Sequence, residues 1–382
     1  MCGIIGYVGK KSVADILMDG LEQLEYRGYD SSGIAVMCED EIRVYKAVGK
    51  LNNLRSVLKG RESEFVSSTM GIGHIRWATH GAPTVLNAHP HTCNCGGLVI
   101  VHNGIIENYK ILKEELIKSG CVFRSETDTE VVAHLVAKKF DECKDLVEAV
   151  RLASQEIEGA YALCVMHKSN KEKLVITKRN APLVVGIGEN EYFAASDVPA
   201  IIKHTNKAVY LNDNQIAALT PEKMELFDSD GNIVSPKIEV LPWEPVALSK
   251  MGYKHFMLKE IHEQPDVIRN ILVGRLHAPD ENIILNEVKL NKETLKNLNR
   301  IQIVACGTSL HAAMVGKYLI ESFCQIAVDV EASSEYIYRK TVTDEHTLVI
   351  GVSQSGETAD TLTAVKQSKA RGSHILIITN RP

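Results

Sequence analysis

The sequence has none of the long apolar or one-signed charged stretches that mark membrane and nucleic-acid-binding proteins. Among its 382 residues no apolar run approaches the roughly 18 needed to cross a bilayer. The formal net charge is only −5 and the basic residues are scattered, which argues against nucleic acid or an anionic membrane as a partner. Asp15, Asp19 and Glu22 interrupt the first apolar stretch, so we expect no secretion signal.

Disulfide and nucleotide-binding patterns are also missing. The nine cysteines are odd in number and widely spread, which is typical of the reducing cytoplasm rather than of a disulfide framework. No G-x-G-x-x-G follows a predicted strand, and a Walker A loop would need glycine where His311 stands. We therefore expect a cytoplasmic protein without either nucleotide-binding loop.

The chain divides into two regions with different patterns. Residues 1–240 have the many short strands of an α+β domain with largely antiparallel sheets. The helices predicted there cover residues 12–26, 108–120 and 128–140. Residues 241–258, which contain two prolines, form a predicted linker. Residues 259–382 alternate apolar strands with helices, as in a doubly wound parallel sheet, and stop just after a strand, so we expect this second domain to be incomplete.

The opening "MCGIIGYVG" places Cys2 directly before a predicted strand. Removal of Met1 would put a thiol and a free α-amine on one residue, and an α-amine with a pKa of about 7.7–8.0 can act as a general base. A terminal nucleophile that uses its own amine as the base is a known variant of the catalytic triad. The alternative is that Cys2 is simply a small packed residue.

Three further stretches contain groups that would complement such a nucleophile. In "GHIRWATHG", Arg76 can bind a carboxylate through its planar guanidinium. In "VHNGIIEN", Asn103 and Gly104 can form an oxyanion hole, the alternative being an ordinary Asn-Gly turn. In "RSETDTE", Asp128 can bind an ammonium group, the alternative being a helix cap. Together these groups suit an amino acid with a side-chain carbonyl.

These stretches, together with "YRGYDSSG" and "NAHPH", resemble the N-terminal-nucleophile glutamine amidotransferases. The resemblance implies an αββα fold in which Cys2 attacks the glutamine amide, forms a γ-glutamyl thioester and releases ammonia. It implies that Arg76 and Asp128 hold the backbone groups of glutamine, while Asn103 and Gly104 stabilise the oxyanion. The other residues that it places at this pocket are Thr79 and His80 as lining, Trp77 as a gate for ammonia, and Arg27 as an ordering residue.

The stretch "HPHTCNC" suggests a metal site, because His89, His91, Cys93 and Cys95 alternate and would share one face of a strand. The C-x-C spacing is tighter than that of structural zinc sites, and alternate strand positions rarely converge on a tetrahedron. We therefore predict no metal here. No organic cofactor is implied either, because a thiol, an amine and a sugar Schiff base suffice for the chemistry.

In the second region, "VACGTS" and "VSQSGET" each follow a predicted parallel strand and precede a helix. Ligands of open α/β sheets bind at this edge, and N–H groups at a helix N-terminus bind phosphate. Helix capping is the alternative for either loop alone. The candidate sugar-phosphate ligands are Thr308, Ser309, Ser353, Gln354, Ser355 and Thr358.

Both loops resemble the sugar isomerase (SIS) domain. A glutaminase followed by a SIS domain is similar to the amidotransferase family that makes glucosamine 6-phosphate and L-glutamate from fructose 6-phosphate and L-glutamine. That resemblance implies a second SIS domain beyond this chain, which carries the isomerase residues, and a homodimer formed through the SIS region. An acceptor such as phosphoribosyl pyrophosphate, or a non-catalytic sugar-phosphate sensor, would instead require a phosphoribosyltransferase motif or a helix-turn-helix partner.

Overall fold

The computed structural model describes residues 2–65, 68–78, 81–241, 253, 255–272, 275–277, 282–283, 285, 288, 290–356 and 358–380. The chain splits into two compact units, Met1–Ser249 and Lys250–Pro382, which we call the first and second units. Among the helices of the described residues, none combines the length and apolarity needed to traverse a lipid bilayer. The exact limits of the two domains and of the linker stay predictions.

The first unit contains two antiparallel sheets. One has eight strands, and their order across the sheet is 15-11-9-10-1-4-2-3. The strands of this sheet are β1 (Gly3–Val8), β2 (Ser31–Cys38), β3 (Glu41–Val48), β4 (Met70–Arg76), β9 (Val184–Ile187), β10 (Tyr192–Ala195), β11 (Lys207–Tyr210) and β15 (Glu239–Val240). The other has seven strands in the order 14-13-12-8-7-6-5. Its members are β5 (His91–Thr92), β6 (Leu98–Ile106), β7 (Gly159–His167), β8 (Leu174–Arg179), β12 (Ile216–Leu219), β13 (Met224–Phe227) and β14 (Ile233–Val234).

Alternating side chains place an apolar layer on each face of these sheets. In β1, Ile4 and Val8 pack between the two sheets, while Ile5 and Tyr7 face the helices of the other side. The helices of this unit are α1 (Val13–Leu24), α2 (Leu51–Leu58), α3 (Tyr109–Lys118), α4 (Thr129–Cys143) and α5 (Leu146–Glu156). The first two cover the eight-stranded sheet and the other three cover the seven-stranded sheet, which gives the layers αββα.

The second unit contains a four-stranded parallel sheet in the order 19-18-20-21. Its strands are β18 (Arg300–Ala305), β19 (Ala327–Ala332), β20 (Thr347–Val352) and β21 (His374–Ile378), and a separate pair is formed by β16 (Leu276–His277) and β17 (Asn282–Ile283). Its helices are α6 (Phe256–Leu272), α7 (Lys292–Lys296), α8 (Gly307–Cys324), α9 (Ser333–Tyr336) and α10 (Ala359–Ala370). Ala313 of α8 packs on one face of the sheet, and Ala364 of α10 packs on the other, as expected for a doubly wound fold.

These architectures confirm the predicted fold classes of the two regions. The predicted helix at 12–26 is found as α1, and those at 108–120 and 128–140 are found as α3 and α4. Helices α2 and α5 were not predicted, although the spacing of Leu146, Ala149, Val150 and Ala153 in α5 is the i, i+3, i+4, i+7 pattern of a buried helical face.

Candidate active site

Cys2 lies immediately before β1, at the edge of the sheet where β4 ends. Strands β1 and β4 are antiparallel and pair Gly3 with Ile75, so Cys2 is placed beside the last residue of β4, Arg76. The Trp77 backbone N–H donates to the Cys2 Sγ at 3.2 Å, and the thiol donates to the Trp77 carbonyl at 3.4 Å. The sheet register therefore holds the thiol of Cys2 against the backbone that follows β4.

The thiol of Cys2 is in a site that favours its neutral form. Burial is the largest influence and raises the pKa of Cys2, and the charge of Asp128 raises it further. The hydrogen bond from Trp77 and the charge of Arg76 act in the opposite direction and are outweighed. A thiol held in this way needs a base to remove its proton before it can attack a carbon.

Asn103 and Gly104 lie inside β6, not in a turn, so the alternative of an Asn-Gly turn is wrong. The Asn103 Nδ2 donates to the carbonyl oxygen of Cys2 at 3.1 Å. Gly104 has a φ of +128°, and a Cβ at this position would lie 2.0 Å from the Ala160 carbonyl oxygen. Only glycine fits where β6 runs this close to its partner β7.

Arg76 and Asp128 are both buried near the thiol, and each influences the pKa of Cys2. The Arg76 guanidinium donates to the carbonyl oxygens of Gly81 and Ala82 at 3.1 and 3.3 Å. Asp128 is the residue before α4, yet its carboxylate makes no capping bond there and accepts instead from the Ile106 N–H at 2.8 Å. The helix-cap interpretation of Asp128 is therefore wrong, and its carboxylate faces the end of β6.

The other predicted glutamine-site residues have mixed outcomes. Arg27 is buried, and its Nη2 pairs with the Asp197 Oδ2 at 2.6 Å. Burial opposes the charge of Arg27, but Asp197 and the Tyr26 hydroxyl together outweigh it and raise the pKa of Arg27. The Trp77 ring is 46% exposed and packs edge-on against Tyr29, with 5.7 Å between ring centroids. Thr79 and His80 lie outside the described residues.

Three residues that hold the surroundings of Cys2 in place were not among the predicted site residues. Asp30 accepts from the Ala78 N–H at 2.8 Å, so it holds the chain that follows Trp77. Asp197 neutralises Arg27, and His74 places its Nε2 3.0 Å from the Asn103 Oδ1. Motif signals existed for Asp30, which is part of "YRGYDSSG", and for His74, which is part of "GHIRWATHG", but not for Asp197.

The "HPHTCNC" stretch does not form one strand. Only His91 and Thr92 are in β5, so the expectation that four alternating side chains share a face is wrong. His89 and His91 are buried in the first unit, while Cys93 and Cys95 lie at the following turn with their sulfurs 2.9 Å apart. Across the described part of the chain, no three His, Cys, Asp or Glu side chains are grouped to hold a metal ion.

The two polar loops of the second unit meet at one edge of its parallel sheet, since β18 and β20 are neighbours and pair Ala305 with Val352. Ser353 is buried, and its hydroxyl contacts Thr358 at 3.0 Å and accepts from the Gly356 N–H at 3.1 Å. These bonds hold the second loop in shape. The remaining candidates are more accessible: Thr308 and Gln354 are exposed, and Ser309 and Ser355 are half-buried.

An αββα sandwich with a thiol immediately before a central strand is the arrangement of the N-terminal-nucleophile amidotransferases. A family model described as "Glutamine amidotransferase domain" matches residues 43–243, and one described as "SIS domain" matches residues 294–382. The chain belongs to the glutamine amidotransferase family.

Curated relatives extend this similarity along the whole chain. A protein named glutamine–fructose-6-phosphate aminotransferase (isomerizing) from Symbiobacterium thermophilum is 48% identical over 380 residues, covering 100% of this chain and 62% of the relative. A protein of the same name from Caldanaerobacter subterraneus subsp. tengcongensis matches with the same identity and coverage. The chain thus spans about 62% of the length of these relatives.

A solved structure with a similar fold is a glutamine phosphoribosylpyrophosphate (PRPP) amidotransferase from B. subtilis. It matches with a TM-score of 0.54 and 19% identity, covering 100% of this chain and 82% of that one. At this identity the likeness concerns the fold alone.

Proposed function

We propose that the chain is the glutamine-hydrolysing part and first sugar-phosphate-binding part of a glutamine–fructose-6-phosphate aminotransferase. The whole enzyme would form D-glucosamine 6-phosphate and L-glutamate from D-fructose 6-phosphate and L-glutamine. The observation that carries the proposal is the hydrogen bond from the Asn103 amide to the backbone carbonyl of Cys2, which places an amide donor on the residue that carries the thiol. The names of relatives that are 48% identical support the acceptor.

In the proposed mechanism, removal of Met1 frees the α-amine of Cys2, which takes the proton of the thiol. This base is needed because burial raises the pKa of Cys2. The sulfur attacks the side-chain amide carbon of glutamine, and the oxyanion accepts hydrogen bonds from the Asn103 Nδ2 and the Gly104 N–H. The C–N bond then breaks as the α-ammonium returns its proton to the departing nitrogen. Ammonia is released, and a γ-glutamyl thioester remains on Cys2. Water hydrolyses the thioester to glutamate.

The proposed glutamine pocket uses charges that lie around the thiol. Arg76 would bind the α-carboxylate, and Asp128 would bind the α-ammonium group of glutamine. Arg27 acts indirectly, because its buried pair with Asp197 fixes the segment that leads to Tyr29 and thus the packing of Trp77. In the resemblance, Trp77 gates the passage of ammonia, and Thr79 and His80 complete the pocket lining.

For the sugar phosphate we propose the two loops at the edge of the parallel sheet. The hydroxyls of Thr308, Ser309 and Ser355 and the amide of Gln354 would bind it. Ser353 and Thr358 hold the second loop through their mutual contact. A phosphoribosyl pyrophosphate acceptor is less well supported, because the second region matches a SIS model and the PRPP amidotransferase is similar only in fold.

Partners and location follow from the same proposal. L-glutamine and fructose 6-phosphate are the proposed ligands, with no metal or organic cofactor and no nucleic-acid or membrane partner. A homodimer formed through the SIS region of the full-length protein is supported by exposed apolar side chains on α8, among them Tyr318 and Phe323. All nine cysteines are free thiols, which supports a cytoplasmic location.

The test is covalent labelling of the purified chain, after intact mass has established that Met1 is absent. An electrophilic ketone analogue of glutamine should add once, at Cys2, and the chain should release ammonia from glutamine. The Cys2→Ala variant should do neither, whereas Cys306→Ala in the second unit should do both. Labelling at another cysteine, or activity with Met1 retained, would overturn the mechanism. The chain alone should bind fructose 6-phosphate and form no glucosamine 6-phosphate. Formation of that product would contradict the proposal that the isomerase residues lie outside this chain.

A further inference from the structure

Beside the proposed oxyanion hole lies a buried cluster of histidines to which the mechanism above gives no role. His74 of β4 is fully buried, and its Nε2 lies 3.0 Å from both the His102 carbonyl oxygen and the Asn103 Oδ1. A carbonyl oxygen and an amide oxygen only accept hydrogen bonds. The Nε2 of His74 must therefore carry the proton and donate to both, which fixes the tautomer of the ring.

The orientation of the Asn103 amide is set by two contacts at its opposite ends. Its Nδ2 donates to the Cys2 carbonyl at 3.1 Å, and its Oδ1 faces the His74 Nε2–H. A rotation of the amide by 180° would preserve its shape but would bring its NH₂ against the N–H of His74. It would also turn the Oδ1 towards the place where the oxyanion develops, where a donor is needed. Two donors facing each other inside the protein leave both unsatisfied, so this rotation is unfavourable.

The His74 ring is itself held by its neighbours. It stacks on His89 with ring centroids 4.1 Å apart and 23° between the planes. The His89 Nε2 and the His102 Nδ1 both lie 2.9 Å from the Thr129 hydroxyl, which can donate to one ring and accept from the other. Two further buried rings, those of His89 and His102, and the Thr129 hydroxyl thus support the ring that orients Asn103.

We propose that His74 is a positioning residue for glutamine hydrolysis, which selects the orientation of the Asn103 amide that donates to the oxyanion. This inference rests on the proposed function. It concerns a residue that need not touch glutamine and acts only through Asn103.

The test compares two reactions of Cys2 that differ in their need for an oxyanion hole. Glutamine hydrolysis develops negative charge on the amide oxygen, whereas alkylation by iodoacetamide displaces iodide at a saturated carbon and develops none there. In His74→Leu we expect the kcat for glutamine hydrolysis to fall by about 10–100-fold, somewhat less than the loss from deleting an oxyanion donor. The KM for glutamine and the rate of iodoacetamide alkylation should be unchanged. His74→Gln, whose amide can still donate to the Asn103 Oδ1, should recover most of the activity.

A matched control is His167→Leu, which replaces a buried histidine of the same unit that does not contact His74 and should keep the ratio of the two rates close to that of the parent chain. An equal fall of both rates in His74→Leu, or no fall in either, would overturn the proposal. Failure of the parent chain to hydrolyse glutamine would overturn the proposed function instead. The orientation is then decided by a neutron crystal structure of His74→Leu, in which deuterons on the Asn103 amide atom that faces the Cys2 carbonyl would show that His74 does not select it.

Discussion

The two units of the chain place their polar and apolar side chains in opposite ways. In the first unit, His74, His89, His91 and His102 form a buried cluster, Asp128 is buried near the thiol, and three apolar layers enclose the two sheets. In the second unit, the polar loops lie at a sheet edge, and apolar side chains of α6 and α8 are exposed, with Phe323 at 82%. The exposed apolar side chains of α6 and α8 thus form surfaces that a further protein layer could cover.

This difference indicates where each unit is most sensitive to change. A buried polar cluster is costly when one of its members loses its partner or becomes charged. An exposed apolar surface contributes little to the stability of the unit that bears it. We therefore expect large effects on folding from the first unit and effects on association from the second.

The largest expected effect is the unfolding of the first unit at low pH. Burial lowers the pKa of His74 to about 3 and lowers the pKa values of His89 and His91 well below the ordinary range. Above about pH 7.5 the three rings are neutral in both the folded and unfolded states, so they do not affect the pH dependence there. Below it the unfolded chain binds protons that the folded chain excludes, and the free energy of unfolding should fall by about 4 kcal/mol per pH unit at most, or about 1.4 for each ring.

Hydrogen exchange, corrected for the intrinsic rate at each pH, measures this loss separately in each unit. Amides of β4 and β6 should lose protection below pH 6, before those of β18 and β20. The histidines of the second unit whose burial is described are all at least partly exposed. His91→Gln should reduce the slope by about a third, because one titrating ring is gone. Simultaneous loss of protection in both units would contradict the comparison.

A smaller effect is expected from adding one methyl group to a glycine in each unit. A Cβ on Gly104 would clash with the Ala160 carbonyl at a φ of +128°, so Gly104→Ala should lower the free energy of unfolding by about 3 kcal/mol and abolish glutamine hydrolysis. Gly307 has a φ of +56° with open space around it, so Gly307→Ala should cost only about 1 kcal/mol. Urea titrations of the two variants measure the difference, and equal costs would show that the Gly104 site can relax.

The smallest effect on stability, and the clearest on association, is expected on α8. Replacing Tyr318 and Phe323 with serine should change the free energy of unfolding by no more than about 0.5 kcal/mol, as for other surface positions. If this face forms the proposed homodimer, sedimentation should show the double variant shifted to the monomer. Ile111→Ser, on the exposed face of α3 in the first unit, is the matched control and should leave the association unchanged. An unaltered sedimentation profile of the double variant would place the dimer contact elsewhere.

The sequence predicts much of the fold because its periodic patterns are local. The apolar repeat of α1 and α4 and the alternating strands of each region depend only on near neighbours in the chain. The catalytic candidates could be predicted because each lies in a recognisable motif. Arg76 and Asp128 influence the pKa of Cys2, and Asn103 is hydrogen-bonded to Cys2.

The positioning contacts could not be predicted because they join distant parts of the chain. The pair of Arg27 and Asp197 spans 170 residues, and the bond from His74 to Asn103 crosses from one sheet to the other. Such contacts depend on strand order and register, which periodicity does not reveal. The same reason explains the error in "HPHTCNC", since alternation alone does not show where a strand ends.

The position of β1 has a consequence for the order of events during synthesis. This strand lies between β4 and β10, and the latter ends at Ala195. At roughly 5–20 residues per second, the ribosome adds residue 195 roughly 10–40 s after residue 2. Cys2 is therefore made first but gains its complete sheet late, and through that interval the peptide bond before it stays accessible to an aminopeptidase. In the proposed mechanism, Met1 would therefore be removed before the site that uses the Cys2 thiol is complete.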